Sequence, residues 1–254
     1  LPVPPGFVVA ADSYLTSMDQ NGIRAQIEKT VQDALTMADQ PTELAAASER
    51  LQALVREAGV HPHVRDAVLR EYHLLGDNIS VAVRSSATSE DTAGASFAGM
   101  NETYTNVSGP AQLLTRLVDC WASLFGQRSL AYRAERGLTE EPAIAVVVQQ
   151  MVNSERSGVM FTADPSTGNT ARIVIEAAHG LGEVVVSGAV EPDTHIMAKK
   201  DQTVISTRVG TQTHKIVRGP DGHDQHITLT GPESTGRVLT DAEAIALAAL
   251  AVRV

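Results

Sequence analysis

Residues 81–106, VAVRSSATSEDTAGASFAGMNETYTN, place an arginine between an apolar strand and two runs of small residues. The strand that begins at Val81 delivers Arg84 to a row of hydroxyl side chains. The glycine-containing segment 94–99 comes next, and a second strand is predicted over 102–107. Small residues let backbone N–H groups approach a ligand closely, and an arginine at their edge can hold phosphate oxygens. The stretch therefore predicts a triphosphate site, but not a P-loop, because the GxxxxGK[ST] spacing is absent.

Composition excludes several classes of protein. The chain has 254 residues, 43% of them hydrophobic, and a net charge of −10, which disfavours general binding to nucleic acid or to an anionic membrane. It has no apolar run near the ~20 residues that span a bilayer. Its single cysteine, Cys120, excludes an intrachain disulfide and a CxxC zinc site, and we expect a buried thiol there. Without a signal peptide, the expected location is the cytoplasm.

Apolar periodicity predicts an α+β protein whose first part is helical. Helical spacing dominates the first eighty residues, and the strongest amphipathic helix is predicted over 112–133. Short strands of a mixed sheet follow, with an antiparallel meander expected over 193–217. We predict two lobes, residues 1–140 and 141–254. Both ends lie inside predicted elements, so we expect a fragment of a longer protein.

A second candidate segment is the strand 146–152, which ends in Gln150, Met151 and Val152. Backbone N–H and C=O groups at such a strand end can pair with the edge of an adenine, while the apolar side chains flank the ring. Taken alone this signal is weak, because valine-rich strands that end in glutamine are common.

The remaining polar candidates have ordinary alternatives. Glu183 follows the GLG turn at 180–182 and either faces phosphates or a metal, or closes its loop. Asp164 precedes a proline and is interpreted as a turn former rather than a metal ligand. His179 and His195 lack the spacing of metal ligands, so we predict loop or surface histidines.

Five segments together resemble the N-terminal ATP-binding domain of phosphoenolpyruvate synthase and of its relative rifampicin phosphotransferase. They are RSSATSEDTAGASFAGMNETYTNV at 84–107, CWASLF at 120–125, VVVQQMV at 146–152, SGVMFTADPSTG at 157–168 and GLGEVVVSGAVEPD at 180–193. The resemblance is collinear and covers nearly the whole chain.

The resemblance implies a two-lobed, ATP-grasp-like nucleotide-binding domain with ATP and Mg²⁺ as cofactors. Arg84 would hold the phosphates as the catalytic residue, and a loop would cover them with Ser96, Ala98 and Gly99. The adenine would be lined by Gln150, Met151 and Val152, and Glu183 would face the nucleotide. No metal ligand is expected within this chain. A GGKGANL-like segment is expected before Leu1, and a DIEW-like segment carrying the metal-binding acid after Val254.

The family's activity implies further domains in the same polypeptide. The β-phosphoryl group of ATP passes to a histidine on a swivelling domain, and then to pyruvate on an acceptor domain, giving phosphoenolpyruvate, AMP and phosphate. We expect this chain alone to bind ATP weakly and not to turn over. A rifamycin acceptor and a non-catalytic nucleotide-binding domain are the alternatives. An ATP-grasp carboxylate–amine ligase is a weaker one, because RSSAT with SFAG is not its usual phosphate loop.

Overall fold

A computed structural model describes residues 1–77, 79–87 and 102–254. The chain forms two compact units. The N-terminal unit comprises Pro4–Met151, and the C-terminal unit comprises Val152–Val254 together with Leu1–Val3. Both contain helices and antiparallel strands, so the predicted α+β class is confirmed. The described helices include none that is long and apolar enough to cross a bilayer.

The helices of the N-terminal unit follow the predicted apolar periodicity. Three of them begin with proline at their first turn, where its missing N–H has no helical partner to lose. Gly59 ends α3 with a φ of 63°, a conformation that glycine adopts without strain. The helices are α1 Ala11–Gln20, α2 Arg24–Leu35, α3 Pro41–Ala58, α4 Pro62–Leu75, α5 Pro110–Ser123 and α6 Gln127–Glu135.

The single helix predicted over 112–133 is wrong, because the chain turns between α5 and α6. Gly126 has an extended backbone, with φ −58° and ψ 145°, and it precedes the first residue of α6. The apolar stripe continues across this turn because Phe125, like Trp121 before it, is fully buried. Tyr14 of α1 packs edge-on against Trp121, with ring centres 5.8 Å apart. Hydrophobic periodicity alone therefore did not reveal the break.

A four-stranded antiparallel sheet completes the N-terminal unit, in the order β1-β4-β2-β3. The strands are β1 Gly6–Val9, β2 Ser80–Ala87, β3 Thr103–Ser108 and β4 Ile144–Gln150. On the face that packs against α5, Val81, Val83, Val146 and Val148 are 0% exposed. The predicted lobe boundary at 140/141 lies before β4, whereas the contacts keep β4 in the N-terminal unit because it pairs with β1 and β2.

The C-terminal unit has a four-stranded antiparallel sheet in the order β5-β6-β7-β8 and a separate two-stranded sheet of β9 and β10. Its elements are β5 Arg156–Phe161, β6 Arg172–His179, α7 Glu183–Val186, β7 Asp193–Ala198, β8 Val204–Arg208, β9 His214–Arg218, β10 Asp224–Thr228, α8 Pro232–Thr235 and α9 Asp241–Ala251. The capping box of Thr240 and Glu243 starts α9. Its alanines pack with Ile173 and Met197 in the core.

The predicted meander is only partly correct, because β7 pairs with β8 while β9 pairs with β10. The chain leaves the larger sheet at Gly210, whose N–H donates to Asp193 Oδ1 at 3.0 Å. The other carboxylate oxygen of Asp193 accepts the N–H of Val238 at 2.7 Å. These two hydrogen bonds join three segments of the C-terminal unit that are distant in sequence. Asp193 is 0% exposed, so the bonds lie inside the protein.

His195 lies in the middle of β7 and is 0% exposed, so the prediction of a loop or surface histidine is wrong. Its Nδ1 lies 3.2 Å from Thr207 Oγ1 on β8. Its Nε2 has no hydrogen-bond partner among the described residues. Burial lowers the pKa of His195, Arg237 lowers it further, and Asp193 and Asp241 oppose both effects.

We expect Asp193→Ala to lower the free energy of unfolding by about 3 kcal/mol, because it leaves two buried N–H groups without an acceptor. Glu233→Ala is the matched control, since it removes an exposed carboxylate that pairs with Lys215 and such pairs contribute at most about 1 kcal/mol. Urea unfolding followed by circular dichroism measures both. Equal losses in the two variants would contradict the role of Asp193.

We expect the protein to lose stability as the pH falls below about 6.5, because the unfolded chain takes up a proton that buried His195 resists. Neutral His195 contributes fully to the free energy of unfolding above that pH. This contribution is lost as the pH falls from there to the lower pKa that His195 has in the folded protein. Melting temperatures between pH 7.5 and 5 should therefore fall less steeply for His195→Phe than for the wild type. The exposed His63 supplies the control variant, His63→Gln, which should keep the wild-type slope. A His195→Phe slope equal to that of the wild type would refute this expectation.

Candidate functional site

Arg84 lies on β2, which is hydrogen-bonded to a strand on each side. It pairs with Thr103 of β3 and with Val147 of β4. Side chains alternate along a strand, so Arg84 points away from the face that carries Val81 and Val83. Its side chain is exposed, and no carboxylate of the described residues lies within ion-pair distance of it. Among the residues that the structure describes, the sheet therefore presents a guanidinium without an acidic partner on a strand paired on both sides.

The neighbours of Arg84 on this sheet face differ in size. Ala82 and Ser86 share its face of β2 and are small, while its direct cross-strand partners are Thr103 of β3 and Val147 of β4. The sheet thus presents a guanidinium on this face, and an arginine can hold phosphate oxygens through two N–H groups.

The predicted phosphate-covering residues Ser96, Ala98 and Gly99 lie outside the described residues. Their role stays a prediction from the sequence.

Gln150 ends β4, and Met151 and Val152 follow it. Two of the three backbone N–H groups already have partners, because Gln150 donates to Pro5 O and Met151 donates to Ser80 O, each at 2.9 Å. The N–H of Val152 has no partner among the described residues, and the Val152 side chain is 59% exposed. Of these three amides, only that of Val152 can therefore donate to a base without breaking a hydrogen bond of the described structure.

Arg84 and the end of β4 belong to the same pair of strands. Arg84 pairs with Val147, and Gln150 pairs with Val81 at the other end of the pairing. The N-terminal unit thus holds Arg84 and two of the three base candidates, Gln150 and Met151, while Val152 belongs to the C-terminal unit. Glu183 belongs to the C-terminal unit.

Glu183 is the first residue of α7, a single helical turn that the sequence did not predict. Its side chain is exposed. Packing explains why residue 180 is a glycine. Its φ is +88°, and a Cβ at this position would lie 2.4 Å from Ile216 O of β9. The N–H of Leu181 donates to the same carbonyl at 2.8 Å. This part of the glycine turn is therefore explained by packing on β9, while a Cβ at Gly182 would meet nothing within 4 Å.

Asp164 forms the predicted turn. Its Oδ1 accepts the N–H groups of Ser166 at 2.9 Å and Thr167 at 3.3 Å, and Arg172 lies 3.6 Å from Oδ2. The hydrogen bonds from Thr167 and Ser166 lower the pKa of Asp164. Cys120 is buried, as predicted, and burial raises the pKa of its thiol to about 12.

The sequence did not predict a pocket of about 380 Å³ in the N-terminal unit. Its polar lining includes the Arg56–Asp119 ion pair at 3.1 Å, and Arg116 lies 4.7 Å from the ring centre of Tyr104 nearby. Burial raises the pKa of Tyr104 to about 12. The residues that line the pocket come from α3, β3, α5 and α6, and α3 lies far from the other three in sequence. No short sequence motif could therefore have predicted it. Arg84 does not line this pocket.

In the part of the chain that the structure describes, no group of three or more histidine, cysteine, aspartate or glutamate side chains could hold a metal ion.

Comparison with known proteins identifies the family. The family described as "Pyruvate phosphate dikinase, AMP/ATP-binding domain" matches residues 1–254. The chain is 37% identical to a probable phosphoenolpyruvate synthase of Methanocaldococcus jannaschii over 100% of the chain and 22% of that protein. It is 38% identical to a phosphoenolpyruvate synthase of Aeropyrum pernix over 95% of the chain and 30% of that protein.

A rifampicin phosphotransferase of Streptomyces sviceus is 35% identical over 99% of the chain and 29% of that protein. The chain thus spans less than a third of the length of each of these three relatives. The family match spans residues 1–254 and supports one conclusion. This chain belongs to the AMP/ATP-binding domain family of pyruvate phosphate dikinase.

Proposed function

We propose that this chain is the ATP-binding part of a dikinase-type phosphotransferase with an ATP-grasp-like fold. The observation that carries the proposal is Arg84, which is exposed, uncompensated within the described residues and fixed on a strand paired on both sides. The family's description as an AMP/ATP-binding domain supports the same ligand.

Arg84 holds phosphate oxygens of ATP through two N–H groups of its guanidinium. Phosphoryl transfer depends mostly on positioning and on neutralising charge, and an arginine on a rigid strand supplies both. The free N–H of Val152 donates to the adenine edge, while Gln150 and Met151 line the ring. Ser96, Ala98 and Gly99 cover the phosphates, and Glu183 faces the nucleotide.

Among the described residues, no group of three or more histidine, cysteine, aspartate or glutamate side chains could hold a metal ion. The ligands of Mg²⁺ are proposed to lie outside this chain, as the family resemblance implies, and no step is assigned to the ion here. When bound, the ion neutralises phosphate charge.

In the whole protein, the β-phosphoryl group of ATP passes to a histidine nitrogen on another domain, and water takes the γ-phosphoryl group. AMP and inorganic phosphate leave, and the phosphohistidine then phosphorylates the enol oxygen of pyruvate. The phosphoenolpyruvate synthases among the relatives favour this acceptor. The rifampicin phosphotransferase favours a rifamycin acceptor as the second candidate.

We expect Arg84→Ala to weaken ATP binding about tenfold, equivalent to ~1.4 kcal/mol, because a bidentate phosphate contact is lost. Isothermal titration with ATP and Mg²⁺ measures this change. Arg70→Ala is the matched control, because it also removes a solvent-exposed arginine of the N-terminal unit. Arg70 is not a candidate ligand residue, and its guanidinium lies 3.9 Å from the carboxylate of its neighbour Glu71. Unchanged affinity in Arg84→Ala, beside saturable wild-type binding, would disprove the role of Arg84.

We expect Val152→Pro to weaken ATP and adenosine by the same factor, about tenfold, because proline removes the N–H that pairs with the base. Val152→Ala keeps this N–H and should bind both ligands nearly as the wild type does. Titrations of both ligands, with melting temperatures as a folding check, test the assignment. A folded Val152→Pro variant with normal adenosine affinity would rule it out.

A further inference from the structure

Three hydrogen bonds join Ser85 to the backbone of Glu102. The N–H of Ser85 donates to Glu102 O at 2.9 Å. The Ser85 hydroxyl accepts the N–H of Glu102 at 2.7 Å and lies 3.2 Å from Glu102 O, to which it donates. One serine thus engages both backbone polar groups of the residue that precedes β3.

The position of Ser85 makes this contact independent of a ligand at Arg84. Ser85 is 7% exposed and follows Val81 and Val83 on the core side of β2. Arg84 points to the opposite side, so the Ser85 hydroxyl cannot reach a phosphate held there. Its hydrogen bonds with the Glu102 backbone link the hydroxyl to the start of β3, beside the strand that carries Arg84.

The contact holds the start of β3 against β2 next to Arg84. The pairing is irregular between Val81 and Val83, and Arg84 pairs with Thr103, the residue after Glu102. Without the hydroxyl, Glu102 would keep only one of the three hydrogen bonds that join it to Ser85, the bond from the Ser85 N–H. The direction of the Arg84 side chain would then be less well fixed, which weakens a contact that depends on geometry.

We propose that Ser85 is a positioning residue that fixes Arg84 for the phosphates of ATP by holding Glu102. The inference rests on the proposed function, since it needs a phosphate at Arg84. It implies that the hydroxyl contributes to affinity for the phosphates and not to affinity for the adenosine part.

The test compares ATP and adenosine binding in the wild type, Ser85→Ala and Ser85→Thr. We expect Ser85→Ala to bind ATP about fivefold more weakly and adenosine unchanged, because only the phosphate contact depends on Arg84. Ser85→Thr keeps a hydroxyl at the same carbon and should restore most of the ATP affinity. If Ser85→Ala acted only by destabilising the protein, the affinities for ATP and for adenosine would fall together. Ser85→Thr would then not restore the affinity for ATP selectively.

A control for the loss of a buried serine is Ser48→Ala in the same unit. Ser48 is 4% exposed, and its hydroxyl donates to Phe125 O at 2.6 Å. This variant should lose stability to an extent comparable with Ser85→Ala while both affinities stay unchanged. Melting temperatures of all variants are measured under the binding conditions.

Three results would overturn the proposal. They are wild-type ATP affinity in Ser85→Ala, an equal loss for ATP and adenosine, or a Ser85→Thr variant as weak as Ser85→Ala. In each case, a weakened Arg84→Ala variant would leave the proposed function standing. A wild-type protein that binds no ATP would instead refute the proposed function, and the role of Ser85 with it.

Discussion

The antiparallel pairing of β2 with two neighbours constrains everything else in the N-terminal unit. Because β2 is held by β3 and β4 together, its side chains have no freedom to choose a face. Val81 and Val83 enter the core, and Arg84 is directed outward by the alternation of the strand. A slip of the register by one residue would bury the guanidinium without a partner and expose the valines. The register of β2 therefore determines both the packing of the core and the side of the sheet on which the Arg84 charge lies.

The same pairing fixes the positions of Arg84 and Gln150 relative to each other within the N-terminal unit. The end of β4 and the middle of β2 are joined by ladder hydrogen bonds. A ligand that contacts both residues meets side chains whose spacing is set by the strand register. Pre-organisation of this kind reduces the entropy lost when a ligand binds.

Much of the fold could be predicted because periodicity and capping are local signals. Apolar spacing gave the helices of the first eighty residues, and the capping box at Thr240 gave α9. The break at Gly126 was missed because the residues on either side of it share one core. The separation of β9 from β8 was missed because it depends on Asp193 meeting Gly210 inside the fold.

The candidate site was predictable only to the level of motifs. Small residues around Arg84 indicated a phosphate site, but which backbone donors remain free depends on strand register. The partners of Gln150 and Met151 come from Pro5 and Ser80, far away in sequence. The burial of His195 depends in the same way on the strands beside it, because a single histidine in a strand has the same local pattern whether it is exposed or buried.

The pairing of β1 with β4 has a consequence for synthesis on the ribosome. Gly6–Val9 leaves the exit tunnel well before its partner residues at Val146–Gln149. Helices α1 to α4 can form from local contacts while the nascent chain grows, but the sheet cannot close until β4 has emerged. Until then the apolar strand Gly6–Val9 has no native partner, so this edge is the segment that a chaperone would have to shield.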